Sequence, residues 1–391
     1  MSKYCIIGDL HFHKYSDYSE KIPVVWDTLQ GKYIVSEDSN AKIMNSRLFY
    51  LLSALVDVRE YMFKNDIHLL LNAGDTFHKR AIIDVETFNA VSLVFETFAY
   101  YGIGIISIAG NHDQSTLGDN SDTSIHTLNN DYHIIVETNS IINPSRIFMG
   151  IIGIEAGVPD VDILCIPWSK NKADTMKCIE GFIQSKREIS HRILLMHCGI
   201  SGGLIGSGNY TISDEYNLAQ LHVDEFKYAH FGHYHKSQIL TNNAHYTGSL
   251  LANDFGDEGS VNGFWVADLS KRWDLQLIPF EGYPKFITIT SDNVEEMSEE
   301  VIKDNYVRIQ VNASDSDKIV NKVSEISEGS SRTVRVEIEK DYSVNSRSSI
   351  SITQSTEDVL RRYVQENLPE GIDAEDLIKV GINIVSTVGG I

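Results

Sequence analysis

The sequence is poor in cysteine, proline and positive charge, and the first two shortages each exclude a class of protein. Its 4 cysteines form no Cys-x-x-Cys pair, so we expect neither a disulfide framework nor a cysteine zinc cage, and a reducing compartment fits best. With 7 prolines in 391 residues, the composition is ordinary for a globular protein and excludes a proline-rich chain. No apolar run is long enough to span a bilayer, and the N-terminus lacks a signal-peptide pattern. We therefore expect a soluble cytoplasmic protein with no membrane partner.

The shortage of positive charge bears on possible partners. The chain has 33 Lys and Arg against 54 Asp and Glu, a formal net charge of −21. Because an acidic surface repels phosphate groups, this charge by itself favours a protein without a polyanionic partner. Two arrangements would still allow a polyanionic partner. Divalent metals can reverse the field of a carboxylate-lined cleft, and a partner subunit can carry the basic surface.

What the sequence does contain is five short polar clusters, each closing an apolar run within the first 250 residues. Their carboxylates, imidazoles and amide form a ligand set suited to two neighbouring divalent metals. One such cluster arises often by chance, but five of them at strand ends indicate a metal-dependent phosphoesterase. The clusters are Asp9-Leu10-His11, Gly74-Asp75-Thr76-Phe77-His78, Gly110-Asn111-His112-Asp113, Met196-His197-Cys198 and Gly232-His233-Tyr234-His235.

The first 275 residues alternate between strand and helix patterns, which predicts a layered α/β domain. Helices are expected at residues 46–65 and 85–101. Polar clusters at the carboxyl ends of strands are where open α/β sheets place their sites. Residues 14–42 break the rhythm and are predicted to be an inserted loop, and residues 199–217 a Gly- and Ser-rich flap. Strands are predicted at residues 5–8, 69–73, 103–109, 162–166, 193–196 and 228–231.

The pattern changes in the last third of the chain. Residues 280–340 read as a small α+β domain, with strands at 286–290, 306–311 and 333–338 and helices at 294–303 and 315–326. Residues 341–355 are Ser-rich and are predicted to be a linker. Residues 356–391 read as a helical tail too small to fold alone, so its apolar faces are expected to dock on a partner.

Several of the polar residues can be given roles from chemistry alone. A metal pair needs a bridging carboxylate, and Asp75 is the natural one because it follows a strand and a glycine that lets the backbone turn. Asp9 and His11 alternate along what we expect to be an extended segment, so both can point the same way. His233 and His235 have the same spacing.

The third and fourth clusters complete the set. Asn111 offers a neutral oxygen, and His112 stands beside the ligands as a candidate general acid for the leaving oxygen. His197 is the weakest member, because a lone histidine after Leu194-Leu195-Met196 could equally be a buried strand residue.

The ordered clusters resemble the calcineurin-like metallophosphoesterase superfamily. Within it, Phe77 and His78 after the aspartate resemble the SbcD-type DNA nucleases, the meiotic-recombination nuclease family. The motifs cover about 250 residues, and the later α+β unit resembles that family's capping domain by position and pattern. The resemblance implies a layered sandwich of residues 1–275, a capping domain of residues 280–340 and a C-terminal helical tail.

The resemblance also implies roles for individual residues. It implies two divalent ions, with Mn²⁺ preferred and Mg²⁺ possible. His112 would be the general acid, and His78 would position the phosphodiester or stabilise its charge. The implied ligands are Asp9, His11, Asp75 and His235 around one ion, and Asp75, Asn111, His197 and His233 around the other.

For function, the resemblance implies a double-strand exonuclease and single-strand endonuclease that acts in DNA end processing, repair and recombination. It implies a homodimer that binds an SbcC-type SMC-like ABC ATPase through residues 356–391, in a bacterial or phage-infected host cytoplasm. Two alternatives stay open. One is a phosphomonoesterase or cyclic-nucleotide phosphodiesterase of the same superfamily, although such an enzyme needs no docking tail. The other is a non-catalytic scaffold, although every expected ligand position is filled.

Overall fold

The computed structural model describes most of the chain, which divides into two units. The first unit is Met1–Gln310 with Lys318–Glu337, and the second is Val311–Asp317 with Ile338–Ile391. The described residues are 2–80, 82–116, 121–148, 158–185, 191–206, 210–211, 216–290, 293, 299–312, 321, 334–339, 360–361, 364 and 373–388.

The secondary structure alternates between strands and helices through most of the first unit. The strands are β1 (Lys3–Ile7), β2 (Lys21–Asp27), β3 (Lys32–Val35), β4 (Lys42–Asn45), β5 (Leu69–Asn72), β6 (Gly104–Ile108), β7 (His133–Val136), β8 (Ser140–Ile142), β9 (Asp162–Ile166), β10 (Arg192–His197), β11 (Leu204–Ile205), β12 (Tyr210–Thr211), β13 (Tyr228–Gly232), β14 (Gln238–Ile239), β15 (Ala244–Tyr246), β16 (Gly263–Asp268), β17 (Asp274–Pro279), β18 (Phe286–Ile289), β19 (Tyr306–Asn312) and β20 (Val334–Glu339). The helices are α1 (Ser46–Lys64), α2 (Val85–Tyr100), α3 (Pro144–Ile147), α4 (Lys172–Gln184), α5 (Glu299–Asp304) and α6 (Ala374–Val388).

Two six-stranded sheets form the centre of the first unit. One has the order β17-β16-β1-β5-β6-β7 and the other β14-β15-β13-β10-β9-β8. The strands β1, β5, β6 and β7 are parallel to one another, as are β9, β10, β13 and β15. The facing sides of the sheets share one apolar core, to which Tyr4 and Ile6 contribute from one sheet and Ile163 and Leu195 from the other. The carboxyl ends of β1, β5, β6, β10 and β13 all carry polar clusters.

Helices cover the outer side of each sheet. On the first sheet, Leu70 shares a core with Leu55 of α1 and Val94 of α2. On the second, Leu194 shares a core with Phe182 of α4. The predicted layered α/β fold is therefore confirmed as a sandwich of two sheets between helices.

The helix boundaries follow from capping residues. The Asn45 side chain accepts a hydrogen bond from the Leu48 amide at 3.1 Å, so α1 begins directly after β4. Asp84 caps α2 by accepting from the amides of Glu86 and Thr87 at 2.9 and 3.1 Å. Both helices match the predicted ranges to within one residue.

Residues 14–42 differ from the prediction of an inserted loop. They contain β2 and β3, which form a three-stranded antiparallel sheet with β4. This sheet buries Val24 and Met44 against the α1 core, but Val35 is 59% and Ile43 55% exposed. Because apolar residues lie on both faces, the alternation that marks a half-buried strand is obscured.

The C-terminal predictions are met only in part by described residues. Strands β18, β19 and β20 lie within or overlap the predicted strands, and α5 overlaps the predicted helix at 294–303. The predicted helix at 315–326 lies outside the described residues except for residue 321, and the linker at 341–355 lies wholly outside them. The domain boundaries therefore stay a prediction. No helix within the described residues is long and apolar enough to cross a membrane.

Buried His133 should make the metal-free protein sensitive to mild acid. Burial lowers its pKa to about 3, and its Nε2 lies 2.8 Å from the Ser107 hydroxyl. A depressed histidine pKa contributes stability above the unfolded value and loses it as the pH falls through about 6.5 towards 3. The loss should reach about 2 kcal/mol by pH 5.

The measurement is the free energy of unfolding at pH 7 and pH 5 in chelator, where about 2 kcal/mol of the wild-type decrease should be missing from His133→Gln. His126→Gln is the control, because the pKa of this exposed imidazole beside Glu137 is raised instead. Equal pH dependence in wild type and His133→Gln would contradict the prediction.

Candidate metal centre

The five polar clusters meet where the carboxyl ends of the two sheets come together. Asp9 and His11 follow β1, Asp75 follows β5, and Asn111 follows β6. From the other sheet, His197 ends β10, and His233 and His235 follow the last residues of β13. All of these side chains lie in the first unit, and most are buried, with Asp9 fully so and His197 at 1% exposure.

The loops that carry these residues are not extended, which corrects the expected alternation of Asp9 and His11. Asp9, His11 and Asp75 have φ angles of 49°, 48° and 54°, in the left-handed region. Such a conformation costs a non-glycine residue about 1–2 kcal/mol. Backbone hydrogen bonds compensate, since the amides of Asp9 and His11 donate to the carbonyls of Gly74 and Asp75, each at 2.9 Å. These hydrogen bonds therefore hold the backbone conformation of the first two clusters together.

Glycine at position 110 is required by the close approach of two turns. A Cβ atom there would overlap both the amide and the carboxylate of Asp75. The space it leaves lets the following turn wrap the carboxylate, and the His112 amide donates to Asp75 Oδ1 at 2.7 Å. Asp75 is thereby held in one orientation with its other oxygen facing the imidazoles.

One group of potential ligands consists of Asp9, His11 and His235. One ligand atom from each lies within 4.8 Å of the others. The Nε2 atoms of His11 and His235 are 3.0 Å apart, and His11 Nε2 is 3.7 Å from Asp75 Oδ2. At that distance one ring nitrogen donates a proton to the other, or both nitrogens can bind the same cation once that proton has left.

The second group consists of Asp75, His197 and His233, again within 4.8 Å. His197 Nε2 lies 3.5 Å from Asp75 Oδ2 and 3.0 Å from Asn111 Oδ1, and His233 Nδ1 lies 2.9 Å from the same amide oxygen. The donor set of carboxylate, imidazole and amide oxygen fits divalent ions of intermediate hardness. Because Asp75 Oδ2 approaches one imidazole of each group, it occupies the place that a bridging carboxylate needs.

The electrostatics of the metal-free centre also favour cations. Burial opposes the charge on His197, but the Asp75 carboxylate outweighs it and raises the pKa of His197 to about 9. Burial is likewise outweighed at His235 by a hydrogen bond to Asp257, which raises that pKa to about 9. The pKa of Asp75 lies well below its ordinary value, since the nearby imidazoles overcome the effect of burial. Protons thus hold the positive charge that metal ions would bring.

Metal affinity should therefore rise with pH. His197 and His235 must each lose a proton before their nitrogens can bind an ion. Between about pH 7, above which Asp9 is also ionised, and about pH 9, the affinity for each ion should increase about 10-fold per pH unit. Calorimetric titration in two buffers of different protonation enthalpy should count about one proton released per ion. An affinity that does not change with pH would contradict this protonation state.

His112 and His78 lie beside the two ligand groups, and together with His11 they form a third set whose potential ligand atoms lie within 4.8 Å of one another. His112 Nδ1 is 2.6 Å from the His78 carbonyl oxygen, so it donates there and leaves Nε2 for other partners. The two rings are stacked with centroids 5.7 Å apart, and the His13 ring also stacks on His78, at 5.4 Å. Burial and the neighbouring His112 lower the pKa of His78 to about 4, which keeps His78 neutral at pH 7.

Two aspartates that support the centre were not among the predicted site residues. Asp113 is fully buried and accepts hydrogen bonds from the amides of Thr76, Phe77 and Gly110 at 3.0–3.2 Å, which joins the second and third clusters. Its place in the Gly110–Asp113 motif was a usable signal. Asp257 lies 3.3 Å from His235 Nδ1, and no motif marks it.

Comparison with known proteins identifies the family. A model of the calcineurin-like phosphoesterase family matches residues 2–237, more than half of the chain, and this range contains every predicted ligand. A solved dimetal phosphatase from Danio rerio is similar over 68% of this chain and 92% of that chain, with a TM-score of 0.35 and 8% sequence identity. We infer nothing about the site from so weak a likeness. A search of curated proteins found no match.

The family match and the geometry agree. Membership implies a metal-dependent phosphoesterase, and two divalent ions are the cofactors expected from the family and from the two ligand groups. The predicted superfamily is confirmed: the chain belongs to the calcineurin-like phosphoesterase family.

Proposed function

We propose that the chain is a DNA nuclease that uses two divalent ions, preferably Mn²⁺, and that it cuts duplex ends exonucleolytically and single strands endonucleolytically. The observation that carries this proposal is the placement of His78. This histidine is not needed by either ligand group, yet its ring stacks against the candidate acid His112. The His78 side chain as a whole is only partly buried, so a phosphate oxygen could approach its ring.

The chain's own residues then divide the chemistry between them. Asp9, His11, Asp75 and His235 would hold one ion, and Asp75, Asn111, His197 and His233 the other. A bound ion pair supplies Lewis-acid stabilisation of the charge that develops on the phosphate. As an imidazolium, His112 donates the Nε2 proton to the leaving oxygen and becomes a neutral ring that keeps its Nδ1–H on the His78 carbonyl. Neutral His78 positions the phosphodiester through a hydrogen bond instead of through charge.

The acidic charge of the chain limits where DNA can lie. A cavity of about 820 Å³ beside the Gln114 side chain is lined by Asp122, Glu137 and Asp174, and none of the described residues that line it is Lys or Arg. Three carboxylates disfavour a phosphate backbone there. We therefore place the DNA path away from this cavity and expect a partner to supply much of the basic surface.

That partner, in our proposal, is an SbcC-type SMC-like ABC ATPase bound by residues 356–391, with the nuclease acting as a homodimer in DNA end processing, repair and recombination. Within the second unit, Leu360 and Val364 are helical and α6 begins at Ala374. A Cβ atom on Gly381 would lie 2.6 Å from the Leu360 side chain, so the two helical segments pack closely. In this proposal the packed pair of helical segments offers the surface that binds a coiled coil.

Deleting residues 356–391 should abolish binding of the ATPase subunit while Mn²⁺-dependent cleavage of short single-stranded DNA stays within about 2-fold of wild type. The reason is that every predicted ligand lies in the first unit, and the deleted segment lies in the second. Co-purification of the two subunits and a cleavage assay check the two halves separately. Unchanged ATPase binding would remove the tail from the proposal.

The substrate is tested by comparing DNA with small phosphate esters. With Mn²⁺ we expect release of nucleotides from duplex ends and little hydrolysis of a phosphomonoester or a cyclic nucleotide. Asp75→Ala serves as the inactive control for contaminating nucleases. If the chain ignores DNA but hydrolyses a phosphomonoester or a cyclic nucleotide, the nuclease proposal fails and a small-substrate phosphoesterase takes its place. Inactivity on all of them would favour the scaffold.

A further inference from the structure

Arg47, in the first turn of α1, is a buried cation whose contacts are backbone carbonyls and aromatic rings. It is 7% exposed. Its guanidinium donates to the carbonyls of Asn253 and Asp17, the second at 3.3 Å, and stacks over the Tyr15 ring at 3.7 Å. Burying a guanidinium is costly unless its contacts compensate, so these contacts make it a rigid junction.

Tyr15, whose ring stacks on Arg47, is connected by hydrogen bonds to one ligand group. Its hydroxyl donates to the His11 carbonyl oxygen at 2.9 Å, and it lies 3.1 Å from the Asn253 side-chain oxygen. The Asn253 Nδ2 group is buried and has no partner among the described residues. A half-turn of that amide would let it donate to Tyr15 while Tyr15 donates to His11. Either orientation ties the His11 loop to Asn253.

Asn253 is connected through Asp257 to His235, the second imidazole of the same group. Its backbone amide donates to Asp257 Oδ2 at 2.8 Å, and Asp257 lies 3.3 Å from His235 Nδ1. A carboxylate at that nitrogen fixes the ring and directs Nε2 towards His11. His11 and His235 are therefore held by one connected set of residues, which does not include His197 or His233.

The same junction contacts the β18–β19 pair. Arg47 lies 5.1 Å from the Phe286 ring and 5.4 Å from the Tyr306 ring, the first residues of β18 and β19. Next to Asp257, the Glu258 carboxylate accepts from the Thr288 amide of β18 at 2.6 Å. Both segments that support His11 and His235 thus pack against these two strands.

We infer that Arg47 is a positioning residue that couples strands β18 and β19 to the ion held by Asp9, His11 and His235, and leaves the other ion unaffected. The inference depends on the metal centre and not on which phosphate ester is the substrate. Any shift of the two strands would then change the affinity of one ion through Tyr15 and Asn253.

The test is the affinity of each ion in the full-length Arg47→Met variant, which removes the charge and keeps much of the volume. Calorimetric and electron paramagnetic resonance titrations with Mn²⁺ count both ions without an activity assay. We expect one ion to bind about 10–100-fold more weakly and the other to bind as in wild type. Tyr15→Phe deletes a single hydroxyl and should weaken the same ion, which decides the matter if Arg47→Met does not fold.

Arg59→Met is the matched control. Arg59 lies in the same helix, is fully buried, donates to the carbonyls of Gly31 and Gln30 at 2.8 and 2.7 Å, and lies 4.4 Å from the Tyr101 ring. None of these Arg59 hydrogen bonds involves a residue of the metal centre, so both ions should bind as in wild type. The inference is overturned if Arg47→Met binds both ions normally, or if it weakens both equally.

Discussion

Replacing Asp75 by asparagine should remove both ions and nearly all hydrolysis. Asp75 Oδ2 lies 3.7 Å from His11 Nε2 and 3.5 Å from His197 Nε2, so a single carboxylate serves both ligand groups. Loss of its charge should weaken each ion at least about 100-fold, and the two losses multiply to about 10⁴-fold in hydrolysis at limiting metal. Asparagine keeps the volume and an oxygen for the His112 amide, so the fold should survive.

The measurement combines Mn²⁺ titration with phosphodiester hydrolysis under saturating substrate. Asp268→Asn is the control: Asp268 is also a buried carboxylate, but it accepts hydrogen bonds from Ser2 and Ser270, which belong to neither ligand group. It should retain two ions and full activity. An Asp75→Asn variant that keeps both ions would show that the carboxylate does not bridge them.

Replacing His112 by glutamine should slow DNA hydrolysis by about 10²–10⁴-fold without loss of metal. The reason is that an alkoxide leaving group needs a proton, and a His112 imidazolium can give its Nε2 proton while Nδ1–H donates to the His78 carbonyl. A phosphodiester with a nitrophenolate leaving group needs little protonation and should slow less than about 10-fold. The ratio of the two losses, measured at saturating Mn²⁺, isolates the acid role.

His126→Gln controls for the loss of an imidazole as such. The His126 side chain is 70% exposed and pairs with Glu137, so both substrates should react at wild-type rates. If His112→Gln slows both substrates equally, His112 positions the substrate and another group supplies the proton.

Much of this centre was predictable because its residues follow one rule of the fold. A parallel strand ends where a polar turn begins, so clusters such as Asp9-Leu10-His11 and Gly74-Asp75 could be assigned to one edge from apolar runs alone. No single apolar run indicates that a second sheet packs on the first and brings His197 and His233 to its site. It was inferred from the ordered motifs and their resemblance to a family.

The supporting residues that lie outside the motifs were not predictable, because their contacts are set by tertiary packing. Asp257 is 22 residues from His235, and Arg47 is 206 residues from Asn253. Neither lies in a motif, and a buried arginine reads in sequence as an ordinary surface charge. The left-handed backbone at Asp9 and His11 was missed for the same reason, since it depends on hydrogen bonds to residues 74 and 75.

The number of divalent ions bound per chain tests the central claim most directly. Equilibrium titration of the metal-free protein with Mn²⁺, read by electron paramagnetic resonance, should show two ions per chain whose spins are coupled through a shared ligand, since Asp75 faces both ligand groups. One ion per chain, or two ions with independent spectra, would contradict a centre built around that carboxylate.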